Sequence, residues 1–99
     1  MSTLKILPFF HGREEAVLSQ PKLPKKSNLQ KYKTMSLNLR YFRNRLELTQ
    51  EQVASRAGIS TKYLSLIESA AFCNPPTLEV LFDLSDALEI EPYRIFKEL

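Results

Sequence analysis

Apolar residues recur at helical spacing along the chain after residue 35, and no stretch alternates apolar and polar residues as a strand does. Leu39, Phe42 and Leu46 occupy positions i, i+3 and i+7, which share one face of a helix predicted over about 36–47. Four further helices are predicted from the same kind of spacing. They begin at or near Thr49, Ser60, Thr77 and Pro92. The pattern therefore predicts an all-α domain of five helices.

A very short connection separates the second and third predicted helices. Thr49 and Gln52 have the spacing of a capping box, in which each side chain satisfies a backbone N–H group at the start of a helix. Gly58 ends this helix, because glycine adopts the left-handed backbone conformation at little cost, and Ser60 caps the next helix. Ala54 is small enough for the two helices to cross closely. Two short helices joined in this way predict a helix-turn-helix unit.

The third predicted helix carries polar side chains opposite its apolar face. If Leu64 and Ile67 face inward, the polar residues gather on the outer side. The second helix of a helix-turn-helix unit fits the major groove of DNA, so this outer side is the candidate reading surface. Its polar members are Thr61, Lys62, Ser65 and Ser69.

Each side chain near this surface has a structural interpretation beside the functional one. Lys62 can donate to guanine O6 and N7 or to a phosphate, and it can also be a solvated surface charge. Thr61 and Ser65 can reach base edges or phosphates, although Thr61 can simply favour the start of the helix. Leu66 can contact a thymine methyl group or belong to the core. We expect Thr61, Lys62, Ser65 and Leu66 to contact bases.

Roughly residues 36–97 resemble the phage repressor and Cro (XRE) family. Within this region a Thr-Gln pair, a small alanine, a turn glycine, a serine cap and a late glutamate occur together. The segments that carry the likeness are Leu48–Ser60, Tyr63–Glu68, Asn74–Glu79 and Leu84–Ile90. The resemblance implies a lambda-repressor-like DNA-binding domain of five helices, which usually binds palindromic DNA as a dimer.

The resemblance also implies roles for individual residues. Gln50 matches a residue that contacts a phosphate and braces the first base-reading side chain. Ser69 matches a phosphate-contacting position at the end of helix three, and we expect Tyr63 to contact a phosphate as well. Arg43 and Glu68 match a largely buried ion pair that ties helix one to helix three.

The loop after helix three departs from the family. Ser69-Ala70-Ala71-Phe72-Cys73-Asn74 stands where a glycine and a basic residue are usual. Because the family's loop lies on a phosphate, we expect backbone amides or Asn74 to replace the missing cation, and the basic arm can add phosphate contacts. Phe72 can instead anchor the loop in the core.

Residues 1–35 are predicted to form a basic, proline-containing N-terminal arm, and residues 36–99 the helix-turn-helix domain. Pro8, Pro21 and Pro24 disfavour a sustained helix in the arm. Seven basic and two acidic residues lie in 1–35, against two basic and six acidic residues in 70–99. This polarity orients a protein on a polyanion, and two solvated surfaces would also produce it. Because Met35 resembles a translation start, residues 1–34 are either a true arm or an upstream extension with no role in the fold.

Enzymatic chemistry is not predicted. His11 is the only histidine and lies in the arm, so no His-based metal site or catalytic triad can be assembled. Cys73 is the only cysteine and cannot form an internal disulfide, which fits a reducing cytoplasm. The longest apolar run, Ile6–Phe10, is far shorter than a membrane span. We expect a cytoplasmic protein without metal or cofactor.

The sequence is compatible with protein partners as well as double-stranded DNA. A homodimer is expected to join through Ile95, Phe96 and Leu99 of helix five. The alternative is an antitoxin-like module, in which the apolar segment Leu4–Phe10 binds a partner while the core regulates its own promoter. The favoured interpretation of that segment is that it docks on its own domain or supports dimerisation. The favoured interpretation is a sequence-specific transcriptional regulator, a repressor that binds a palindromic operator as a dimer.

Overall fold

The computed structural model describes residues 23–71 and 75–99. Within these residues the chain forms α-helices and short 3₁₀ segments and no strand, which confirms the all-α prediction. The fifth predicted helix is observed as a 3₁₀ segment, Pro92–Ile95, and a second 3₁₀ segment spans Lys26–Asn28. The α-helices are α1 (Leu29–Arg45), α2 (Gln50–Ala57), α3 (Thr61–Glu68) and α4 (Leu78–Ala87).

Helix α1 begins at Leu29 rather than near residue 36. Tyr32, Met35, Leu39 and Phe42 follow one another at spacings of three and four residues, so they form one continuous apolar face. Met35 is 1% exposed, and Tyr32 packs against the core. The boundary predicted at residue 35 therefore falls inside a helix. The interpretation of residues 1–34 as an extension with no role in the fold is wrong for the part that belongs to α1.

The core lies where α1, α2, α3, α4 and the C-terminal 3₁₀ segment meet. Two leucines at helix ends lie largely outside this core, and one of them, Leu46, was predicted to share the apolar face of the first helix. Leu46 follows the last residue of α1 and is 37% exposed, and Leu78 is the first residue of α4 and is 64% exposed. The buried apolar residues are Met35, Leu39, Phe42, Val53, Ala54, Ala57, Leu64, Ile67, Leu81, Leu84, Ala87, Leu88 and Ile95.

Helix α1 also holds the C-terminal segment through a buried amide. Asn38 is 2% exposed, and its Nδ2 donates to the carbonyl oxygens of Ile95 and Lys97 at 2.8 and 2.7 Å. These bonds satisfy a polar group that would be costly to bury alone. Ile95 is 0% exposed within its own chain, so its predicted contact with a dimer partner is wrong, whereas Phe96 and Leu99 are exposed.

Several residues singled out in the sequence lie outside the described part of the chain. They are His11, Phe72, Cys73, Asn74 and the segment Leu4–Phe10. Among the helices of residues 23–71 and 75–99, none combines the length and the hydropathy that crossing a bilayer requires.

Three helices are followed by a non-glycine residue in the left-handed region. Glu47 after α1 has φ of 58°, Ala70 after α3 has 58°, and Glu89 after α4 has 60°. Only the end of α2 has the preferred residue, Gly58, with φ of 74°. A residue with a Cβ atom costs on the order of 1 kcal/mol more than glycine in this conformation. The ends of α1, α3 and α4 are therefore less stable than glycine would make them.

We expect Glu47→Gly to stabilise the protein. Glu47 is exposed and makes no side-chain hydrogen bond within the described residues, so the substitution relieves backbone strain and removes no described contact. Thermal unfolding followed by circular dichroism should show a gain of up to about 1 kcal/mol, or roughly 4–8 °C. The control is Ser55→Gly in the exposed middle of α2, which should lower stability by about 0.5 kcal/mol. A loss of stability in both variants would contradict the assignment of strain to Glu47.

Candidate nucleic-acid interface

Helices α2 and α3 are joined by three residues whose conformations are fixed by local hydrogen bonds. The predicted capping box is present at the start of α2. Gly58 adopts the left-handed conformation, and the next amide, of Ile59, donates to the carbonyl of Ala54 at 3.0 Å. Ser60 Oγ then accepts the N–H of Tyr63 at 3.0 Å. A Cβ atom at residue 58 would meet nothing within 4 Å, so glycine is required there by its backbone angle and not by space.

Helix α3 has a buried side and an exposed side. Leu64 and Ile67 are 1% and 0% exposed and fasten the helix to the core. At about 100° per residue, the exposed residues cover one continuous arc on the opposite side, with Leu66 half-buried at its edge. The exposed residues are Thr61, Lys62, Ser65 and Ser69. The structure therefore brings the four residues expected to contact bases onto one side of α3, with hydroxyl, ammonium and methyl groups available there.

Arg43 and Glu68 form a two-point ion pair between α1 and α3. Arg43 Nε donates to Glu68 Oε2 at 2.8 Å, and Arg43 Nη2 donates to Oε1 at 3.0 Å. The Glu68 side chain is 4% exposed and that of Arg43 is 14% exposed. Arg43 Nη1 also donates to the carbonyl of Leu48 at 2.9 Å. This parallel geometry is the strong form of an arginine–carboxylate contact and fixes the end of α3 against α1.

Gln50 lies at the first position of α2, and its side chain contacts the same carboxylate. Its Nε2 donates to Glu68 Oε1 at 3.0 Å. The side-chain amide that was expected to contact a phosphate is therefore held by α3. The first-turn backbone N–H groups of Gln50 and Glu51 have no acceptor one turn earlier in the helix, so α2 retains donors that an anion can use.

The end of α3 differs from the expectation that loop amides serve a phosphate. The Ser69 hydroxyl donates to the carbonyls of Ser65 and Leu66 at 3.0 and 3.1 Å. The amides of Ala70 and Ala71 donate to the carbonyls of Ile67 and Leu66 at 3.1 and 2.9 Å. These donors close the end of the helix, so the amides of Ala70 and Ala71 are already used within the chain, and the expected phosphate contact by the loop stays a prediction.

The remaining predicted phosphate contacts are Tyr63 and Asn74. Tyr63 is half-buried and packs against the core, and its backbone N–H is used by the Ser60 cap. Asn74 lies outside the described residues. Among the described residues, no group of three histidine, cysteine or acidic side chains is placed to hold a metal ion.

Sequence reasoning missed two exposed cations on α1. Lys33 lies in the segment assigned to the arm, and Arg40 lies in the first predicted helix, where no role was given to it. In the structure both lie on α1 and line a concavity beside the end of α3. The signal that would have found them is their seven-residue separation, which places both on one face once the helix is known to start before residue 33.

Comparison with known proteins agrees with this arrangement. The helix-turn-helix family model matches residues 39–95. No curated protein matches the chain. The structure is similar to the restriction-modification controller protein C.AhdI from Aeromonas hydrophila, with 28% identity, a TM-score of 0.62, and coverage of 66% of this chain and 96% of that chain. It is also similar in fold to the hypothetical transcription factor NHTF from Neisseria, with 23% identity, a TM-score of 0.65, and coverage of 80% and 86% of the two chains.

We expect Glu68→Gln to destabilise the protein strongly. The substitution keeps the size of the side chain and removes the charge that compensates Arg43, leaving a largely buried cation without its counter-ion. Loss of such a partner costs about 3 kcal/mol, measured by denaturant unfolding. The matched control is Glu89→Gln, which breaks the exposed Arg56–Glu89 pair at 3.5 Å and should change stability by less than about 0.5 kcal/mol. Equal effects of the two substitutions would show that burial does not strengthen the first pair.

Proposed function

The chain belongs to the XRE-type helix-turn-helix family of DNA-binding transcription regulators. From this premise we propose that the protein is a repressor that binds a palindromic operator as a homodimer. The observation that carries the proposal is the exposed polar side of α3. Its inner side is held by Leu64, Ile67 and the buried Glu68 carboxylate, so the outer side is presented by a rigid support. A rigid support preserves the geometry that hydrogen-bonded base reading needs.

The dimensions and chemistry of α3 suit the major groove. With its side chains an α-helix is about 10–12 Å in diameter, which fits a groove about 12 Å wide. Lys62 supplies the positive donor that suits guanine O6 and N7, while Thr61 and Ser65 supply hydroxyl groups that both donate and accept. Leu66 lies half-buried at the edge of this surface, where its methyl groups can meet a thymine methyl group. These four residues form the proposed base-reading set.

The C-terminal segment is the proposed dimer surface. Phe96 and Leu99 are 53% and 72% exposed, which is a high fraction for large apolar side chains at the end of a small domain. Asn38 holds the backbone of this segment against α1, so the exposed side chains stand on a fixed support. Two copies joined here would place their α3 helices about 34 Å apart, the repeat of B-DNA, on a two-fold symmetric site.

Repression follows from occupancy of the operator. A dimer that covers two half-sites blocks access to the promoter DNA beneath it. The acidic C-terminal third and the basic N-terminal third orient the chain on a polyanion, which favours the approach of one side to DNA. The similarity to a controller protein, at 28% identity, supports a role in transcription control.

We expect Lys62→Ala to change which duplexes the protein selects from a random pool. If Lys62 reads guanine, the variant should lose preference at one position in each half-site, with a roughly tenfold or greater loss on the wild-type sequence. The control is Lys31→Ala, which removes the same charge from the first turn of α1, on the face turned away from the end of α3. This variant should leave the selected sequence unchanged. A uniform loss across all sequences would instead assign Lys62 to a phosphate.

We expect the double substitution Phe96→Ser and Leu99→Ser to weaken dimerisation while leaving the fold intact. Both side chains are exposed, so thermal stability of the monomer should be nearly unchanged, whereas sedimentation should show a monomer at concentrations where the wild type is dimeric. Leu78→Ser, which removes an equally exposed leucine at the start of α4, serves as the control. A wild type that remains monomeric with and without operator would contradict the dimer.

A further inference from the structure

A concavity of about 320 Å³ lies between the outer side of α1 and the C-terminal end of α3. Two cations, Lys33 and Arg40, line it from α1, and both are exposed. They are seven residues apart, so they lie two turns apart on the same face, about 10.5 Å along the helix axis. Glu68 and Ser69 line the concavity from α3.

The acidic group of the concavity is already neutralised. Glu68 is 4% exposed, and its two carboxylate oxygens accept from Arg43 and Gln50. Within the described residues, neither Lys33 nor Arg40 forms an ion pair. The two cations are therefore not required to compensate this carboxylate.

Three of the last four carbonyl groups of α3 also accept hydrogen bonds within the chain. The Ser65 carbonyl accepts from the amide and hydroxyl of Ser69, at 3.1 and 3.0 Å. The Leu66 carbonyl accepts from the amide of Ala71 at 2.9 Å, and the Ile67 carbonyl accepts from Ser36 Oγ at 2.6 Å. A helix C-terminus attracts cations when its carbonyls lack partners. Here three of the four carbonyls have such partners, and within the described residues neither Lys33 nor Arg40 donates to any of them, so both have charge available for an external anion.

We propose that Lys33 and Arg40 bind phosphodiester groups of the DNA backbone beside the end of α3, an inference that rests on the proposed function. When α3 lies in the major groove, the sugar-phosphate backbone borders the groove on either side of the helix. The loop that follows α3 contains no basic residue from Ser69 to Thr77, and the hydroxyl and amide donors of residues 69–71 are used internally. The cations of α1 supply the positive charge that this loop lacks.

The phosphate contacts are separate from base reading in this arrangement. Phosphate contacts fix the position of a protein on the duplex and carry no sequence information. Each one releases counter-ions, so it steepens the dependence of affinity on salt concentration. Removal of Lys33 and Arg40 should therefore weaken binding to every duplex by the same factor and reduce the salt dependence.

The test compares the full chain with the double variant Lys33→Ala and Arg40→Ala on one fixed duplex, over a series of potassium chloride concentrations. The slope of log affinity against log salt should fall in magnitude by about 1.8 per bound protomer, and affinity near 0.1 M salt should fall roughly 10- to 100-fold. The sequence selected from a random pool should be unchanged, and so should the melting temperature, because both side chains are exposed.

The matched control is the double variant Lys31→Ala and Arg45→Ala, which removes the same two charges from α1. At 100° per residue, these positions lie about 160° and 120° away from Lys33 around the helix, so they do not border the concavity. Two results overturn the proposal: an unchanged slope in the first variant, whatever its melting temperature, or an equal fall in the control. A wild type that binds without sequence preference would contradict the proposed function, while the slopes measured on the fixed duplex would still decide the phosphate contact.

Discussion

The carboxylate of Glu68 is the group on which the geometry of the interface depends. It is almost completely buried, so its charge and its oxygens must be compensated within the protein. Arg43 approaches from α1 and Gln50 from the first residue of α2, and both bond to it at 2.8–3.0 Å. One buried group thus joins three helices at the end of α3. Because the apolar contacts of Leu64 and Ile67 are not directional, these bonds supply the directional restraint on α3.

Helix α1 transmits this restraint to the rest of the domain. Ser36 donates to the carbonyl of Ile67 near the end of α3, and Asn38, two residues further on, donates to the backbone of the C-terminal segment. The same helix therefore positions both the proposed base-reading surface and the proposed dimer surface. In a dimeric regulator the separation of the two reading helices must match the half-site spacing of the DNA. In the proposed dimer, a single helix that bonds to both the end of α3 and the C-terminal segment would keep that separation constant.

The sequence predicts the local features of this fold well and the long-range ones poorly. The ends of α2 and the start of α3 follow from Thr49, Gln52, Gly58 and Ser60, because each acts within four residues along the chain. The start of α1 was missed because its first turns carry only Tyr32 and Met35 on their apolar face. Two residues are too few to predict a helix, and only the structure shows that both pack against the core. Other features depend on partners that spacing cannot reveal, such as the carbonyls far along the chain to which Asn38 donates. The closure of α3 by the amides of residues 70 and 71 was missed for a similar reason, since it depends on the left-handed conformation of a non-glycine residue.

Charged groups and neutral hydrogen-bonding groups lie on different helices of the proposed interface, so affinity and specificity for DNA would depend on different residues. The exposed side of α3 carries several hydroxyl groups and one ammonium group, that of Lys62. It therefore has many hydrogen-bonding groups but only one charge. Hydrogen bonds to base edges discriminate between sequences, whereas charge acts on the phosphates of every sequence alike. The exposed cations that line the concavity beside the end of α3, Lys33 and Arg40, belong to a different helix, α1. In the proposed complex, the two helices touch chemically different parts of the duplex. Changes on α1 would then adjust how tightly the protein binds DNA in general, and changes on α3 would adjust which sequence it prefers.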